Sequence, residues 1–376
     1  MTEARPAGKQ NVRVDYDDLL SFVAAVFIDR GMQVDRARMA ATALCYSDLV
    51  GQGTHGLANL TGLYLPLFDD ARVDPGAEPQ VLADRGAAVL VDAHRALGLW
   101  AASEAMDMAV ERAATYGIGM ISVRAATHFG CAGHHAVRAV RRGMVGIVAS
   151  NCGRQRIVRP PGGQVTMLGT NPLSVAAPAG GHHPFVLDMS TTAVPAGRVR
   201  EAARAGRQAP HGWLADDRGD PVTDPAAFDR GDAHLLWLGS GSGSGAYKGF
   251  GLGLMVEVLA ALVSGAGLGP SREALAGDGA SSGRDDDIGF LVAAIAPGAL
   301  RPAEDVDRDA HALFDTLLAC PPSRGNGPVL YPGWHEAERA HYNRRDGVPL
   351  AEPLYQELCD VAGTLGLEFP DPIGGD

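Results

Sequence analysis

Lysine is almost missing from this chain of 376 residues: Lys9 and Lys248 stand against 30 arginines. Positive charge is written as arginine, so a lysine inside a glycine-rich segment meets a need that a guanidinium does not. A compact ammonium fits a narrow phosphate or carboxylate site where the planar fork is too wide. Cationic charge is also short overall, with 32 Lys and Arg against 44 Asp and Glu, a net charge of −12. That balance opposes binding to nucleic acid or an anionic membrane. A local basic cluster, Arg138, Arg141 and Arg142, reads as the exposed face of a helix.

Other absences narrow the field further. The five cysteines (Cys45, Cys131, Cys152, Cys320, Cys359) show no CxxC or metal-type spacing. Reduced thiols in a cytoplasmic protein are expected. The histidine doublets His134-His135 and His182-His183 have no acidic partner at helical spacing, and no metal is expected. No apolar run approaches the roughly 18 residues that span a bilayer. No basic stretch followed by an apolar one opens the chain, so no secretory leader is expected. Neither a GxGxxG after a strand nor a Walker loop is present, which argues against an ordinary Rossmann or P-loop nucleotide site.

What is present is a globular composition, 46% hydrophobic and 20% charged, long enough for two or three lobes. Periodicity predicts helices over 15–50, where Asp15 caps the first turn, and over 99–115, 132–142, 303–319 and 351–366. Strands are predicted at 87–92, 118–123, 144–150, 186–189 and 289–296. Residues 195–231 read as a loop-dominated excursion, and 265–287 as a mobile Gly/Ser/Asp-rich stretch.

Five segments could carry chemistry. Gly241 to Gly251 holds Lys248 ahead of an apolar helical run at 252–263. Free N–H groups at such a helix start favour an anion, although a flexible loop with a solvated lysine explains the same residues. Thr54-His55-Gly56 puts an imidazole beside a hydroxyl in a glycine-rich turn, suited to proton transfer or simply to ending a helix. His128-Phe129-Gly130 follows a strand and opens a helix. Thr170-Asn171 forms a turn with two hydrogen-bonding side chains. Asp188-Met189-Ser190-Thr191 places a carboxylate and hydroxyls at a strand end, where adenosine hydroxyls are often held.

In this order, and with Gly169 to Pro172, Val222 to Pro225, Tyr247-Lys248-Gly249 and, loosely, Tyr331 to Gly333, these segments resemble the malate/L-lactate dehydrogenase family. These are nicotinamide oxidoreductases without a Rossmann fold. The family includes malate, sulfolactate and ureidoglycolate dehydrogenases and Δ1-piperideine-2-carboxylate reductases. The resemblance runs from about residue 13 to 368. It implies a mixed α/β architecture with a mixed central sheet. A helical lobe would be formed by both chain ends (1–75 plus 303–376), around a central cofactor- and substrate-binding region (76–302). It also implies NAD or NADP as cofactor and a homodimer.

By the same resemblance, His55 supported by Thr54 moves the proton. His128 with Phe129 and Gly130 lies against the cofactor, and in some members this histidine is the catalytic base. Asp188, Met189, Ser190 and Lys248 hold the dinucleotide. Asn59, Thr170 and Asn171 meet the substrate. Two departures stand out. Asn59 occupies the place of the family's carboxylate-binding arginine, and Gly133-His134-His135 replaces Gly-Tyr-Tyr. Exchanging a bidentate charged partner for a neutral amide points to an unusual substrate, such as a cyclic imine or a biosynthetic intermediate. A catalytically silent scaffold is the rival reading, opposed by the survival of His55, His128, Asp188 and Lys248. Arg154, Arg156 and Arg159 are candidates for a 2′-phosphate, so the choice of NAD or NADP stays open.

Overall fold

The computed structural model describes residues 11–240, 245–276 and 281–373. Lys9 and Gly241 to Ser244 of the lysine segment lie outside them. Along the chain, β1 (Asn11–Val14) leads to α1 (Tyr16–Asp29) and α2 (Val34–Leu49), then β2 (Gln80–Asp84), β3 (Ala88–Asp92) and α3 (Gly98–Tyr116). Next come β4 (Ile118–Ala126), α4 (Ala132–Val140), β5 (Val145–Ser150), β6 (Leu173–Ala177) and β7 (Phe185–Met189). After α5 (Ala196–Arg204) follow β8 (Leu214–Ala215), β9 (Pro221–Val222) and β10 (His234–Leu235). The last elements are α6 (Ala246–Glu257), β11 (Ile288–Ile295), α7 (Ala303–Leu318), α8 (Trp334–Asp346), β12 (Val348–Ala351) and α9 (Glu352–Leu365).

The main sheet is mixed and seven-stranded, in the order β2-β3-β4-β11-β5-β6-β7. Only the β3–β4 pair is parallel; the other neighbours are antiparallel. The centre is taken by β11, the last of these seven strands in sequence. Its residues Ile-Gly-Phe-Leu-Val-Ala-Ala-Ile are apolar throughout and almost all buried, as a strand covered on both faces requires. Registers Ile288↔Ala126, Ala149↔Leu173 and Leu173↔Met189 bring the ends of β4, β5 and β7 and the starts of β6 and β11 to one edge. Helices press close on the sheet at two glycines. A Cβ on Gly119 or Gly146 would stand 2.0 or 2.2 Å from the carbonyls of Ala109 in α3 or Ala136 in α4.

The ends of the chain meet. β1 pairs with β12, and α1, α2 and α9 contribute to the same apolar core as α3 and the main sheet. Asp15 accepts from the N–H groups of Asp17 and Asp18, the expected cap. No helix among the described residues is long and apolar enough to cross a membrane.

Two sequence expectations need correction. The 195–231 excursion is rich in loops but not coreless: α5 and β8-β9, joined by β10, enclose a second core in which Val199, Leu214 and Phe228 meet Leu235 and Trp237. Few apolar residues suffice because two are large aromatics. The described part of 265–287 is pinned. Arg72 donates to Asp285 and Asp286 at 2.6 and 2.7 Å, and Arg156 and Ser282 exchange backbone hydrogen bonds. Strand β6 and helix α8 had no clear sequence signal, the first being short and the second almost wholly polar.

The polar hub beside β5 is Glu257, buried at the end of α6. It accepts from Gly269 N–H at 2.7 Å, Asn171 Nδ2 at 2.9 Å and Asn151 Nδ2 at 3.3 Å. Burial pushes its carboxyl above the usual range, while these donors pull it back. Glu257→Ala strips the acceptor from Gly269 N–H and from one hydrogen of Asn171 Nδ2, while Asn151 Nδ2 keeps the Gly153 and Gly267 carbonyls, and each buried orphan costs about 1–3 kcal/mol. The expected loss is at least about 2 kcal/mol of unfolding free energy, read from urea denaturation. Near-wild-type stability would show the hub to be dispensable.

Candidate active site

The turn after α2 is shaped by a buried acid. Asp48, in the last turn of α2, accepts from Leu57 N–H at 2.6 Å. A Cβ at Gly56 would lie 2.0 Å from its carboxylate, so the chain wraps round Asp48 only with glycine there. Burial raises the Asp48 carboxyl to about 7, against the opposing pull of the Leu57 N–H. Within this turn Thr54 Oγ1 lies 3.1 Å from His55 Nδ1. Asn59 Nδ2 donates to the Thr54 carbonyl at 3.1 Å. The asparagine therefore braces the histidine turn with the amide that was expected to face substrate.

His128 follows β4. Its ring stacks on that of His55, centroids 6.0 Å apart and planes within 13°. Gly130 N–H donates to His128 Nδ1 at 3.2 Å, and the Tyr64 hydroxyl lies 2.8 Å from the same nitrogen. A backbone N–H can only donate, so Nδ1 is the acceptor and the neutral ring carries its proton on Nε2. Burial lowers the basicity of both rings. His55 falls to about 4, first through burial, then through repulsion from His128, with Asp188 acting the other way. Both are neutral at pH 7. Only His55 has the freedom to present a bare Nε2, because Thr54 can accept from Nδ1–H.

Asp188 closes the floor from β7. Its Oδ2 accepts from Gly133 N–H in the first turn of α4 at 2.7 Å, and Cys131 Sγ lies 3.0 Å away. Cys131 also stands 3.1 Å from Gln52 Oε1, linking this floor to the histidine turn. An acid at a helix N-terminus is favourable, so one oxygen of Asp188 serves the fold. A cavity of about 120 Å³ lies behind it, among Tyr46, Gln52, Cys131 and Glu336. It touches neither imidazole and is too small for a dinucleotide.

Several expected site residues lie elsewhere or are already engaged. Phe129 is buried, edge-on to His135 and Phe290 at 5.2 and 5.7 Å, so its ring is core. Asn171 is fully buried; its Nδ2 donates to Gly253 O and Glu257, while its Oδ1 has no partner among the described residues. Thr170 lends its carbonyl to Thr191, with its hydroxyl 3.7 Å from Cys152 Sγ. Met189 stays in β7, and the Ser190 hydroxyl donates to Thr192 O. Lys248 does not precede the helix; α6 begins at Ala246, which puts Lys248, exposed, in its first turn. That turn neighbours the Thr191 segment through Leu238, whose N–H donates to Thr191 O and whose backbone packs on Gly249. Arg154, Arg156 and Arg159 are occupied by Asp287, Ser271 and Asp217.

Tyr64, Asp48, Gln52 and Cys131 were not singled out as site residues from sequence. Tyr64 hides in an apolar run as a one-turn π-helix, Leu60–Tyr64. Asp48 alone carried a signal, an acid closing a helix before a glycine-rich turn.

A protein-family model described as malate/L-lactate dehydrogenase matches residues 14–359. The chain is 30% identical to the L-sulfolactate dehydrogenase of Methanocaldococcus jannaschii, over 91% of this chain and 94% of that one. It is 29% identical to a Δ1-pyrroline-2-carboxylate/Δ1-piperideine-2-carboxylate reductase of Pseudomonas putida, over 95% and 99%. The crystal structure of malate dehydrogenase from Entamoeba histolytica superposes with a TM-score of 0.88 at 27% identity, covering 96% of this chain and 100% of that one.

Asp48 makes stability depend on pH. Its folded value of about 7 lies above the ordinary 3.8, so the contribution is intact below 3.8 and is lost as pH rises towards 7. Asp48→Asn removes the buried charge. The unfolding free energy of this variant relative to wild type should rise by about 2 kcal/mol between pH 5 and 7.5, followed by urea denaturation. A difference independent of pH would mean that Asp48 stays ionised throughout.

Proposed function

The chain belongs to the malate/L-lactate dehydrogenase family, and on that premise we propose an NAD(P)-dependent oxidoreductase whose proton shuttle is His55. Its substrate is a small 2-hydroxy acid, 2-keto acid or cyclic imine. The observation that carries the assignment is the pair of stacked imidazoles with different tautomeric freedom. Nicotinamide, when bound, exchanges a hydride with the substrate carbon. The residues fit such a group: among the described residues, neither His55 Nε2 nor His128 Nε2 has a protein partner. His128 offers a fixed Nε2–H donor, held by Gly130 and Tyr64. His55 takes the proton from a hydroxyl or amine during oxidation, with Thr54 supporting Nδ1. In reduction the same nitrogen returns it.

Lys248 is proposed to meet the cofactor's phosphates. A cation in the first turn of a helix is disfavoured by the helix dipole, and a bound anion removes that conflict. The Ser190–Thr191 segment beside it belongs to the same proposed cofactor wall, together with Asp188. Asn59 supplies no charge for a carboxylate, which supports a substrate without one beside the reacting carbon; the cyclic imines named for the P. putida reductase are themselves 2-carboxylates and would need another cation here. A homodimer is supported by the exposed apolar stretch Leu254, Met255, Val258, Leu262 and Val263 at α6 and just beyond it. A cytoplasmic location agrees with the five free cysteines.

His55→Ala should lower turnover by about 10²–10⁴-fold, the usual span of general acid–base catalysis, while NAD(P)H titration by fluorescence stays near wild type. In the oxidation direction, wild-type kcat/KM should stay level as pH falls from 8 to 5. A limb near the ordinary histidine value would contradict a depressed His55, and loss of cofactor binding in His55→Ala would make it a binding residue.

For Lys248, both Lys248→Ala and Lys248→Arg should weaken cofactor binding by roughly tenfold, the scale of a charged hydrogen bond. Normal binding by Lys248→Arg would show that charge alone matters there.

A further inference from the structure

On the far side of β6 and β7 the chain carries a group of side chains that the hydride-transfer reading does not use. His182 lies in the turn between these strands; His311 and Asp315 lie one turn apart on α7. The ligand-capable atoms of the three fall within 4.8 Å of one another. The rings of His182 and His311 stack, with centroids 4.8 Å apart and planes within 8°.

Two further observations give the cluster the form of a site. His311 Nδ1 lies 2.7 Å from the carbonyl of Gly180. A carbonyl only accepts, so Nδ1 carries the proton and Nε2 keeps its lone pair. Metal-bound histidines are held in this way, with the second nitrogen tied to a carbonyl or carboxylate. His182 Nε2 is buried and has no hydrogen-bond partner; Asp315 Oδ1 lies 4.0 Å away, beyond hydrogen-bond reach. A buried nitrogen without a partner is costly unless water or an ion completes it.

The supporting frame is packed. Ala179, Phe314 and Tyr331 form a buried cluster against Phe185 and Trp334, which seats α7 on the β6–β7 turn. Gly180, at φ +58°, would bring a Cβ within 2.3 Å of His311 N, so the helix approaches this closely only because residue 180 is glycine. His182 and His311 are thus presented from elements that side-chain packing already holds in place.

We propose that His182, His311 and Asp315 bind a divalent transition-metal ion of the zinc class, which clamps α7 to the β6–β7 turn. Two imidazoles and one carboxylate suit Zn²⁺ over the oxygen-seeking Mg²⁺ or Ca²⁺. At bond lengths of about 2.0–2.1 Å, tetrahedral ligand atoms stand roughly 3.3–3.4 Å apart; a bound ion lies in the plane of each ring that holds it, so closing the set requires the His182 ring to turn out of its stack on His311 and the exposed Asp315 carboxylate to rotate with it. Water completes the coordination. Sequence alone points away from a metal because the histidine doublet has no acid at helical spacing; the acid stands beside a third histidine, 129 residues after His182.

The test is isothermal titration of the chelator-stripped full chain with ZnCl₂, together with its melting temperature. One equivalent should bind at micromolar concentration and raise the melting temperature. Affinity should fall at least about tenfold in each of His182→Ala, His311→Ala and Asp315→Asn, in keeping with the loss of a ligand or its support. Asp315→Asn is an exposed, nearly isosteric change, so folding does not confuse its result. No binding at 100 µM Zn²⁺, or binding that survives in any of the three variants, would overturn the site. None of these residues belongs to the proposed hydride-transfer machinery, and turnover should stay at the wild-type level in all three.

Discussion

The centre of the sheet is filled by the last of its seven strands in sequence, and the site follows from that. β11 hydrogen-bonds to β4 on one side and β5 on the other, antiparallel to both. β4 and β5 therefore run in the same direction without touching. Two antiparallel steps further, through β6, β7 takes that direction as well. The segments after β4, β5 and β7 consequently emerge at one edge, where His128, Cys152 and Asp188 lie. The segments entering β6 and β11, with Asn171 and Asp285, arrive at the same edge. Motifs spread over some 160 positions of sequence become neighbours because one apolar strand is buried between two others.

This explains what could be read from the sequence. Amphipathic helices with caps, such as α1 and α3, and apolar strands such as β4, β5 and β11 carry local signals. The order of strands does not, since it depends on pairings between distant segments. The same limit applies to the site. His55, His128 and Asp188 stand out in the sequence because glycines and hydroxyls surround them, and the fold brings the two imidazoles together. Tyr64 was not, since its hydroxyl reaches His128 from an apolar run that otherwise reads as core. Phe129 and Asn171 were misplaced for the converse reason: they sit beside functional residues in sequence, yet backbone geometry turns one into the core and the other onto Glu257.

Two histidines in one pocket need a reason to differ. Here the difference is made by backbone, not by charge. Gly130, at φ +80°, turns its N–H onto His128 Nδ1, and that hydrogen bond leaves His128 a permanent donor on Nε2. A Cβ at residue 130 would also meet Leu99 at 2.9 Å. No comparable N–H fixes His55, whose Nδ1 faces a hydroxyl able to donate or accept. The fixed ring can orient a ligand and the free ring can move a proton.

Asn59 then takes on a different meaning. Judged by sequence alone, it is a lost arginine. In the fold it is the residue that ties the Thr54 carbonyl, while Asp48 ties Leu57 from beneath. The histidine turn is thus held on both sides by side chains of low charge: a neutral amide, and an acid whose burial raises it to about 7, so that it is only partly ionised at neutral pH. An arginine at position 59 would place a permanent cation beside a His55 already depressed to about 4, and would press its basicity lower still. Asparagine at position 59 spares His55 that further loss of basicity, in keeping with the proton transfer proposed for it. A substrate able to do without the carboxylate clamp, such as one drawn in by shape or by its own imine nitrogen, is the kind this arrangement accommodates.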